Sequence, residues 1–441
     1  MRVPLFVRHA LYIAKGGFLV RPLAIALCLG TAGMTLSSVE EQFPLVSAWV
    51  PDLLFPSRSD PQVAQVILAG IAGSIMTVVS IVFAILLMTL TLASMQFSPR
   101  ILLNFVRDGV TQWTLGVFLG TFCYCMAALP AARFAPTPFS PVATVFGAMV
   151  LALTCVGWLL FFIQHISQAI SVNHIVDRIA RDIEEVIDSI MPHPRTARTR
   201  SLFSGMSDER EQAVVVSRSG YVRYIDLSVL VARSKASHRR IRVTRRIGHF
   251  VPAGFPLFMV SGAKALHPEE VLALQGAVDM GPARTLQQDV EFGILQIVDI
   301  ALRAISPAVN DPSTAITCID QLSGILIRWC SRDPAETYIA SPPHVVRVVM
   351  PWISTVELLD TAFEQIRHYA QTDLAVSLRL VRAFADMALC VVDEPLRQDL
   401  LERGRRVVQH FDQGLPAEDL AKLKTRLTVL EQACRPVVAD P

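Results

Sequence analysis

Four apolar stretches with no charged side chains occupy the first 170 or so residues, and no comparable stretch follows them. Asp, Glu, Lys and Arg are absent from residues 61–99, 109–132 and 134–176, and a shorter uncharged run covers 22–39. A helix of about 20 apolar residues crosses the roughly 30 Å of bilayer hydrocarbon, so each stretch can cross once. The pattern therefore predicts four transmembrane helices, at about 20–38, 67–93, 113–132 and 142–165.

A strongly amphipathic segment follows the last apolar stretch, at residues 167–191. Isoleucines recur at helical spacing, for example at Ile179 and Ile183, and the opposite side of the segment is charged. We expect a connecting helix that leaves the membrane. It should end at Met191, because Pro192 disfavours helical backbone in the residue before it.

The rest of the chain divides where the periodicity of its apolar residues changes. Residues 192–210 are polar and predict a linker. Short β-branched runs separated by glycine predict a β-rich subdomain at 211–262, and helical periodicity predicts a helical subdomain at 263–441. The predicted fold class is therefore a polytopic α-helical membrane domain at 1–166 with four transmembrane helices, followed by a cytoplasmic α+β module that is first β-rich and then mostly helical.

The charges in the loops predict an orientation. The N-terminal segment carries only basic charges, whereas the loop after the first crossing is mostly acidic. Because basic loops stay in the cytoplasm, four crossings place both termini there, with the loop that holds Arg133 as an exception. These charges are Arg2, Arg8, Lys15 and Arg21 in the N-terminal segment and Glu40, Glu41, Asp52, Asp60 and Arg58 in the loop.

The first apolar run can also be interpreted as a secretory signal peptide. The basic segment before it is long for a signal peptide, and Glu40 and Glu41 follow where a small-residue cleavage site should lie. These features favour a first transmembrane helix.

The composition agrees with a membrane protein, and the sequence lacks the motifs of several kinds of functional site. Only 18% of the 441 residues are charged, against about 25% in soluble globular chains. The eight cysteines show neither a disulfide framework nor a CxxC pair, so we interpret them as small core residues. No motif for catalysis, metal binding or cofactor binding occurs in a plausible setting. We expect no cofactor, no metal and no enzymatic activity.

The second predicted crossing is rich in hydroxyl side chains, and two interpretations stay open. The hydroxyls can bond to their own helix or to a neighbouring helix. Alternatively, they line a hydrated path across the membrane. The candidate path-lining residues are Ser74, Thr77, Ser80 and Thr89.

Glycines at helical spacing predict close packing of the membrane helices. Gly116 and Gly120 form a GxxxG motif in the third crossing, and Gly73 lies in the second. Small residues four apart let helix backbones approach closely in lipid. The motif does not distinguish packing within one chain from packing between subunits.

A basic run without acids lies in the β-rich region. It can contact anionic lipid headgroups, dock against the acidic helical region or form a solvated surface. Nucleic acid is disfavoured because aromatic residues do not interleave with the charges. The candidate headgroup contacts are Arg239, Arg240, Arg242, Arg245 and Arg246.

The densest polar motif lies between residues 284 and 315. Asp311 followed by Pro312 predicts the start of a helix, so the motif predicts two helices joined by a tight turn. Alternatively, its oxygen ligands gather around a cation or a polar ligand. A remote third interpretation is an enzyme site that uses Asp289, Asp299 and Asp311. The candidate polar cluster is Asp289, Gln296, Asp299, Arg303, Asn310 and Asp311.

Three stretches together resemble the DUF2254 family of bacterial predicted membrane proteins. They are Leu92-Ala-Ser-Met-Gln-Phe-Ser-Pro-Arg100 with Phe105-Val-Arg-Asp-Gly109, Leu115-Gly-Val-Phe-Leu-Gly-Thr-Phe-Cys-Tyr124, and Asp299-Ile-Ala-Leu-Arg-Ala-Ile-Ser-Pro-Ala-Val-Asn-Asp-Pro-Ser-Thr-Ala315. The resemblance covers nearly the whole chain, less distinctly at the C-terminal end. It implies a bacterial inner-membrane protein with several N-terminal crossings, and it implies no activity. The chain departs from the family pattern at Ala308-Val309, where a glycine and an aliphatic residue are more usual.

The leading functional hypothesis is a homo-oligomeric channel or transport protein. The second crossing would line the path, and the cytoplasmic module would gate it. A passive pore is favoured over a coupled pump, because the second crossing has no charged residue and coupled transport usually needs one. The alternative is a membrane-anchored sensor or scaffold that transports nothing. The expected partners are the lipid bilayer and further copies of the chain, and any ligand stays unidentified.

Overall fold

The computed structural model describes residues 20–43, 47, 50, 60–96, 109–134, 138–169, 171–194, 210–333, 338–341, 345–411 and 416–435. The chain forms two compact units, Met1–Ser171 and Val172–Pro441, called here the membrane unit and the soluble unit. Several features that the sequence analysis used lie outside the described residues. They are Arg2, Arg8, Lys15, Asp52, Arg58, the linker residues 195–209, the side chain of Thr89, and residues 97–100 and 105–108 of the stretches that resemble the family.

The described residues of the membrane unit form four long helices. They are α1 (Val20–Gln42), α2 (Pro61–Gln96), α3 (Gly109–Ala128), which a 3₁₀ turn (Leu129–Ala131) extends, and α4 (Val142–Ala169). Each contains a segment long and apolar enough to cross a membrane. The prediction of four apolar N-terminal helices is confirmed.

Helix α2 begins earlier than its hydropathy predicted. Its first residue is Pro61 rather than a residue near 67, and Asp60 Oδ1 accepts a hydrogen bond from the Gln62 backbone N–H at 2.9 Å. An aspartate followed by proline is a typical helix start, since the carboxylate caps an unpaired N–H and proline has none to lose. Hydropathy locates the lipid-spanning part of a helix and misses a polar first turn.

The soluble unit begins with α5 (Val172–Ile190). Its apolar stripe, which includes Ile179 and Ile183, is buried. Gly293 of α8 (Val290–Ala304) lies against the Ile183 side chain, so close that an added Cβ would collide with it. Glycine at this position therefore permits α5 and α8 to pack tightly.

In the part of the soluble unit that the structure describes, eight strands form two sheets. The strands are β1 (Glu211–Val215), β2 (Gly220–Ile225), β3 (Ile241–Val243), β4 (Phe250–Val251), β5 (Pro256–Ser261), β6 (Val278–Gly281), β7 (Tyr338–Ser341) and β8 (Val345–Val349). The five-stranded sheet has the order β1-β5-β3-β8-β7 and the three-stranded sheet the order β4-β2-β6. Two helices, α6 (Leu227–Ser237) and α7 (Pro268–Gln275), lie between strands in sequence. Val222, Leu230 and Phe258 belong to the buried core that the sheets share.

The prediction that residues 263–441 are mostly helical missed three strands, β6, β7 and β8. Strand β8 pairs with β3 in parallel, with Ile241 opposite Val348, although about 100 residues separate them. A strand of four or five residues shows too few alternations to be distinguished from a buried helix by periodicity. Its partner is distant in sequence, so only tertiary pairing reveals it.

The remaining helices follow α8, which is mostly buried. They are α9 (Pro312–Cys330), α10 (Thr355–Leu359), α11 (Gln365–Tyr369), α12 (Leu374–Cys390), α13 (Glu394–Phe411) and α14 (Ala417–Ala433). A π-helical segment (Asp360–Glu364) joins α10 to α11, which makes one continuous helix with a local bulge.

Candidate functional site

Asp289 lies where the β-rich part of the soluble unit meets α8. Its Oδ1 accepts a hydrogen bond from the Phe292 backbone N–H at 3.0 Å, so Asp289 is the N-cap of α8. Arg284 binds the same carboxylate through two bonds, Nε to Oδ2 and Nη2 to Oδ1, each 2.7 Å long. Asp289 is only 4% exposed. A buried carboxylate with a bidentate arginine and a helix N-terminus has its charge well compensated.

Glu291, in the first turn of α8, extends this ion pair into a network. Arg284 Nη2 donates to Glu291 Oε2 at 2.8 Å, and Arg246 Nη2 donates to Glu291 Oε1 at 3.4 Å. Arg246 Nε also donates to His249 Nε2 at 2.7 Å, and its Nη1 lies 3.9 Å from Glu357 Oε2. We call this set the charged cluster: Arg246, His249, Arg284, Asp289, Glu291 and Glu357.

The charged cluster joins two parts of the soluble unit that are far apart in sequence. Arg246 and His249 lie in the loop between β3 and β4, whereas Glu291 belongs to α8 and Glu357 to α10. Thr361, in the π-helical segment, lies 3.5 Å from Glu291 Oε1 through its hydroxyl. The cluster therefore holds the β3–β4 loop against two helices through charge-assisted hydrogen bonds.

Burial and charge shift the pKa values of several groups in the cluster. Burial, reinforced by the adjacent Arg246, lowers the pKa of His249. Burial opposes the charge of Arg284, but hydrogen bonds from its guanidinium to Asp289 and Glu291 outweigh it and raise the pKa. The Ser354 backbone N–H, 2.8 Å from Glu357 Oε2, lowers the pKa of Glu357. These shifts favour charged arginine and glutamate beside neutral histidine.

Asn310 and Asp311 form the tight turn between α8 and α9. Asp311 Oδ1 accepts from the Thr314 N–H at 3.1 Å, and its Oδ2 accepts from the Thr314 hydroxyl at 2.6 Å, so Asp311 caps α9. Both bonds lower the pKa of Asp311, and the bond from the Thr314 hydroxyl has the larger effect. Asn310 has φ +50, a left-handed conformation that asparagine tolerates better than most residues. The expectation of two helices joined by a tight turn describes this segment correctly.

The structure does not bring the predicted polar cluster together. Asp289 precedes α8 and Asp311 follows it, and a helix of 15 residues spans about 22 Å. On α8, Gln296 is buried, Asp299 is half-buried and Arg303 is exposed, so the three side chains differ in their access to solvent. Among the described residues, no group of three or more His, Cys, Asp or Glu side chains could hold a metal ion. Asp289 and Asp311 therefore lie at opposite ends of α8, and the interpretation that the oxygens of this motif gather around one cation or polar ligand stays a prediction.

Sequence reasoning missed most of the charged cluster. Arg284, His249, Glu291 and Glu357 were not proposed as site residues, and Arg246 was proposed for a different role. A usable signal was present at Arg284, Asp289 and Glu291, because a capping aspartate with an acid in the first helical turn attracts a nearby arginine. The contribution of the β3–β4 loop had no local signal, since tertiary packing creates it.

The basic run serves several separate roles. Arg242 forms an ion pair with Glu211, and Arg246 belongs to the charged cluster. Arg239 and Arg240 are half-buried, and Arg245 is exposed. The five arginines therefore do not form one uniform surface.

The hydroxyls of α2 lie on the outside of the membrane unit. Ser74, Thr77 and Ser80 are exposed, and two of them bond to their own helix. Thr77 donates to the Gly73 carbonyl at 3.1 Å and Ser80 to the Met76 carbonyl at 3.0 Å. These bonds agree with the first interpretation and leave the second open, since a back-bonded hydroxyl oxygen can still accept a bond.

The glycines proposed for helix packing form two sets. The inner set, Gly116 and Gly120, contacts a neighbouring helix, and the outer set, Gly73, lies on the surface. A Cβ added at Gly116 or Gly120 would lie 2.5 Å from a side-chain atom of α1, in Ile25 or Leu29 respectively. The GxxxG motif therefore packs α3 against α1 within one chain. A Cβ at Gly73 would have no described atom within 4 Å, so the surface around this glycine is open.

Glu40, near the end of α1, carries out a structural role that the sequence analysis did not predict. It is 1% exposed, and it accepts hydrogen bonds from the backbone N–H groups of Ala143 at 2.7 Å and Thr144 at 3.0 Å. The Thr144 hydroxyl donates to the same carboxylate at 2.9 Å. Glu40 therefore caps the N-terminus of α4 from another helix, and the helix dipole stabilises its charge.

Comparison with known proteins assigns a family. A family model described as "Predicted membrane protein (DUF2254)" matches residues 15–386. Uncharacterised proteins of Mycobacterium bovis and Mycobacterium tuberculosis are each 28% identical to the chain over 396 residues, which covers 88% of this chain and 74% of each relative. No solved structure matches the chain significantly. The match covers most of the sequence and includes all four apolar helices and the charged cluster, and the chain belongs to the DUF2254 family of predicted membrane proteins.

Proposed function

We propose that this membrane protein is a homo-oligomeric channel or transport-type protein, and that its soluble unit regulates the path. The hydroxyl-bearing side of α2 would face the path. The proposal includes placement in a bacterial inner membrane with both termini in the cytoplasm, which the loop charges favour. It assigns no catalytic reaction, and the expectation of a non-enzyme stays a prediction.

The observation that carries the proposal is the position of the α2 hydroxyls. Ser74, Thr77 and Ser80 are exposed on the outside of the four-helix unit, whereas most of the side chains buried inside it are apolar. The buried side chains include Ala72, Ile75, Val82, Phe118, Cys155 and Phe162. A hydrated path through the middle of one chain is thus disfavoured. A path between copies, lined by α2 of each, uses the exposed hydroxyls.

Single-channel recording of the purified full chain in planar bilayers tests this proposal. The double variant Thr77→Val and Ser80→Ala removes two hydroxyls with little change in side-chain volume, so unitary conductance should change. Thr154→Val is a matched control, since Thr154 is also exposed and back-bonded, to the Val150 carbonyl at 2.8 Å, but lies on α4. Silent bilayers across voltage and membrane tension, or equal effects of both variants, would contradict the proposal.

A cavity in the soluble unit favours the second candidate function, a membrane-anchored sensor. The cavity has a volume of about 360 Å³ and is lined in part by Trp329, Arg332 and Asp393. A volume of this size accommodates a small ligand, and an aromatic wall with one cation and one carboxylate can orient it. A small anion or zwitterion that stabilises the intact chain against heat, and fails to stabilise the Trp329→Ala variant, would favour this function.

A further inference from the structure

Positive charge is concentrated in one part of the soluble unit. Residues 211–256 contain nine Lys or Arg residues and only two acids, Glu211 and Asp226. Part of this charge is compensated within the fold, because Arg242 pairs with Glu211, Arg223 pairs with Asp279 at 2.8 Å, and Arg246 belongs to the charged cluster. The excess must face solvent or a partner of opposite charge.

Two exposed phenylalanines lie in the same part of the chain as this basic charge. Phe250, on β4, is 51% exposed, and Phe255, just before β5, is 49% exposed. Arg218 and Arg245 are exposed as well. We call these four residues the aromatic–basic surface.

Backbone hydrogen bonds bring this surface together from separate loops. The Gly254 N–H donates to the Val216 carbonyl at 2.8 Å, and the Val216 N–H donates to the Phe255 carbonyl at 3.0 Å. The β1–β2 turn that carries Arg218 is therefore bonded directly to the β4–β5 turn that carries Phe255. Arg245 joins the same end of the sheet, because its neighbour Thr244 donates to the Leu257 carbonyl at 2.9 Å.

A surface that combines exposed aromatic rings with arginines suits an anionic, partly apolar partner. Exposed aromatic rings next to arginines suit the interface of a phospholipid bilayer, where the rings enter the headgroup region and the guanidinium groups meet phosphates. The soluble unit also starts at Val172, directly after α4 ends at Ala169, so the chain itself keeps it near a bilayer. Tethering raises the effective concentration of the bilayer surface without new contacts.

We propose that the aromatic–basic surface, Arg218, Arg245, Phe250 and Phe255, docks on an anionic phospholipid surface. This assignment replaces the uniform run of arginines with a surface in which the phenylalanines supply the apolar contact. It also gives a role to the two exposed phenylalanines in this part of the unit.

Tryptophan quenching in the full chain tests the proposal. The Phe255→Trp variant is reconstituted in nanodiscs of phosphatidylcholine alone or phosphatidylcholine mixed with phosphatidylglycerol, each with brominated acyl chains. Quenching beyond that of the unmodified chain should occur in the mixed discs and be weaker in the neutral discs. Tyr369→Trp is the matched control, because Tyr369 is an exposed aromatic residue of α11, and it should show no added quenching.

Charge variants and a competitor complete the test. Arg218→Gln and Arg245→Gln, each combined with Phe255→Trp, should weaken docking about fivefold per arginine, since one charge near an anionic surface contributes roughly that factor. Equal quenching for Phe255→Trp and Tyr369→Trp in the mixed discs would overturn the proposal. Binding of a fluorescent RNA oligonucleotide without lipid-dependent quenching would also overturn it, because the surface would then recognise nucleic acid.

Discussion

Gly248 lies directly against the carboxylate of Asp289. A Cβ built on Gly248 would lie 2.5 Å from Asp289 Oδ2 and 2.7 Å from Arg284 Nη2. Gly248 also has φ +86, a left-handed backbone conformation that residues with a side chain rarely adopt. The β3–β4 loop can therefore close over the Arg284–Asp289 ion pair only when this position is glycine.

Replacement of Gly248 by alanine should destabilise the soluble unit by about 2 kcal/mol or more. Left-handed backbone costs alanine roughly 1 kcal/mol, and the collision with the ion pair adds to it. Chemical denaturation of the full chain in detergent measures the loss.

Gly254→Ala is the matched control for this prediction. Gly254 has φ +82, but an added Cβ there would have no described atom within 4 Å. It should lose about 1 kcal/mol from backbone strain alone. Equal losses in the two variants would show that the contact between Gly248 and the ion pair has no energetic role.

Removal of the Arg284 guanidinium should be strongly destabilising. Arg284→Met leaves the carboxylate of Asp289 buried without its bidentate partner, which costs about 3 kcal/mol. Arg181→Met is the control, because Arg181 is 66% exposed and pairs with Asp177 on the surface of α5. It should change the free energy of unfolding by about 0.5 kcal/mol or less. A similar small change for Arg284→Met would contradict the proposed role of the ion pair.

The soluble unit should lose stability as the pH falls below about 6.5. The folded protein lowers the pKa of His249 below its ordinary value of 6.5, so the unfolded chain binds the proton more readily. The stabilisation is present above 6.5 and is lost as the pH falls through the folded pKa. Protonation of His249 would place a third positive charge next to those of Arg246 and Arg284.

The unfolding free energy measured between pH 7.5 and about 5 tests this expectation. The His249→Gln variant should show a smaller slope in this range, because glutamine does not titrate. Carboxylates with lowered pKa values, such as Glu357, lose their stabilisation at lower pH and so affect both proteins equally. Identical slopes for the two proteins would exclude His249 as the titrating group.

The Glu40 cap should stabilise the membrane unit. Glu40→Gln keeps the shape but removes the charge that three donors share, and a charge-assisted bond is stronger by about 1 kcal/mol or more than a neutral one. Thermal unfolding in detergent should therefore occur at a lower temperature. Glu41→Gln is the control, since Glu41 forms a partly exposed ion pair with Arg133 and should have little effect. An unchanged unfolding temperature for Glu40→Gln would contradict this interpretation.

Glycines of the inner and outer sets should respond differently to a larger residue. Gly120→Val forces Leu29 away from α3 and should lower the stability of the membrane unit by about 2 kcal/mol. Gly73→Val has open space and should leave that stability unchanged. Under the proposed function, Gly73→Val should instead weaken assembly of copies through α2. Native mass spectrometry of both variants separates the two effects, and an unchanged oligomer in Gly73→Val would argue against association at this surface.

Features that depend on residues close together in sequence were predicted correctly, and features that depend on pairing between distant residues were missed. The four apolar helices were predicted, because burial in lipid demands a long apolar run that is visible locally. The Asp311 cap was predicted too, because a cap and its helix are neighbours in sequence. Strand β8 was missed, because its pairing with β3 joins residues about 100 positions apart.

The candidate site divides in the same way. Asp289 was proposed as a site residue because it lies in the polar motif at residues 284–315. Its expected partners were Asp299 and Asp311 of the same motif. The structure pairs it instead with Arg284, and through Glu291 with Arg246 of a distant loop. The spacing along a helix can show which residues share a side, and it carries no information on what packs against that side.

The amino-acid sequence by itself determined that the first part of the chain forms four helices suited to a membrane and that a unit of mixed helix and strand follows. Solvent preference is a property of each segment, so it can be derived from composition and period. Only the tertiary structure decided that the GxxxG motif packs within one chain, that Glu40 caps a different helix, and which charges neutralise one another. Those outcomes depend on distances between segments, which chain connectivity does not specify.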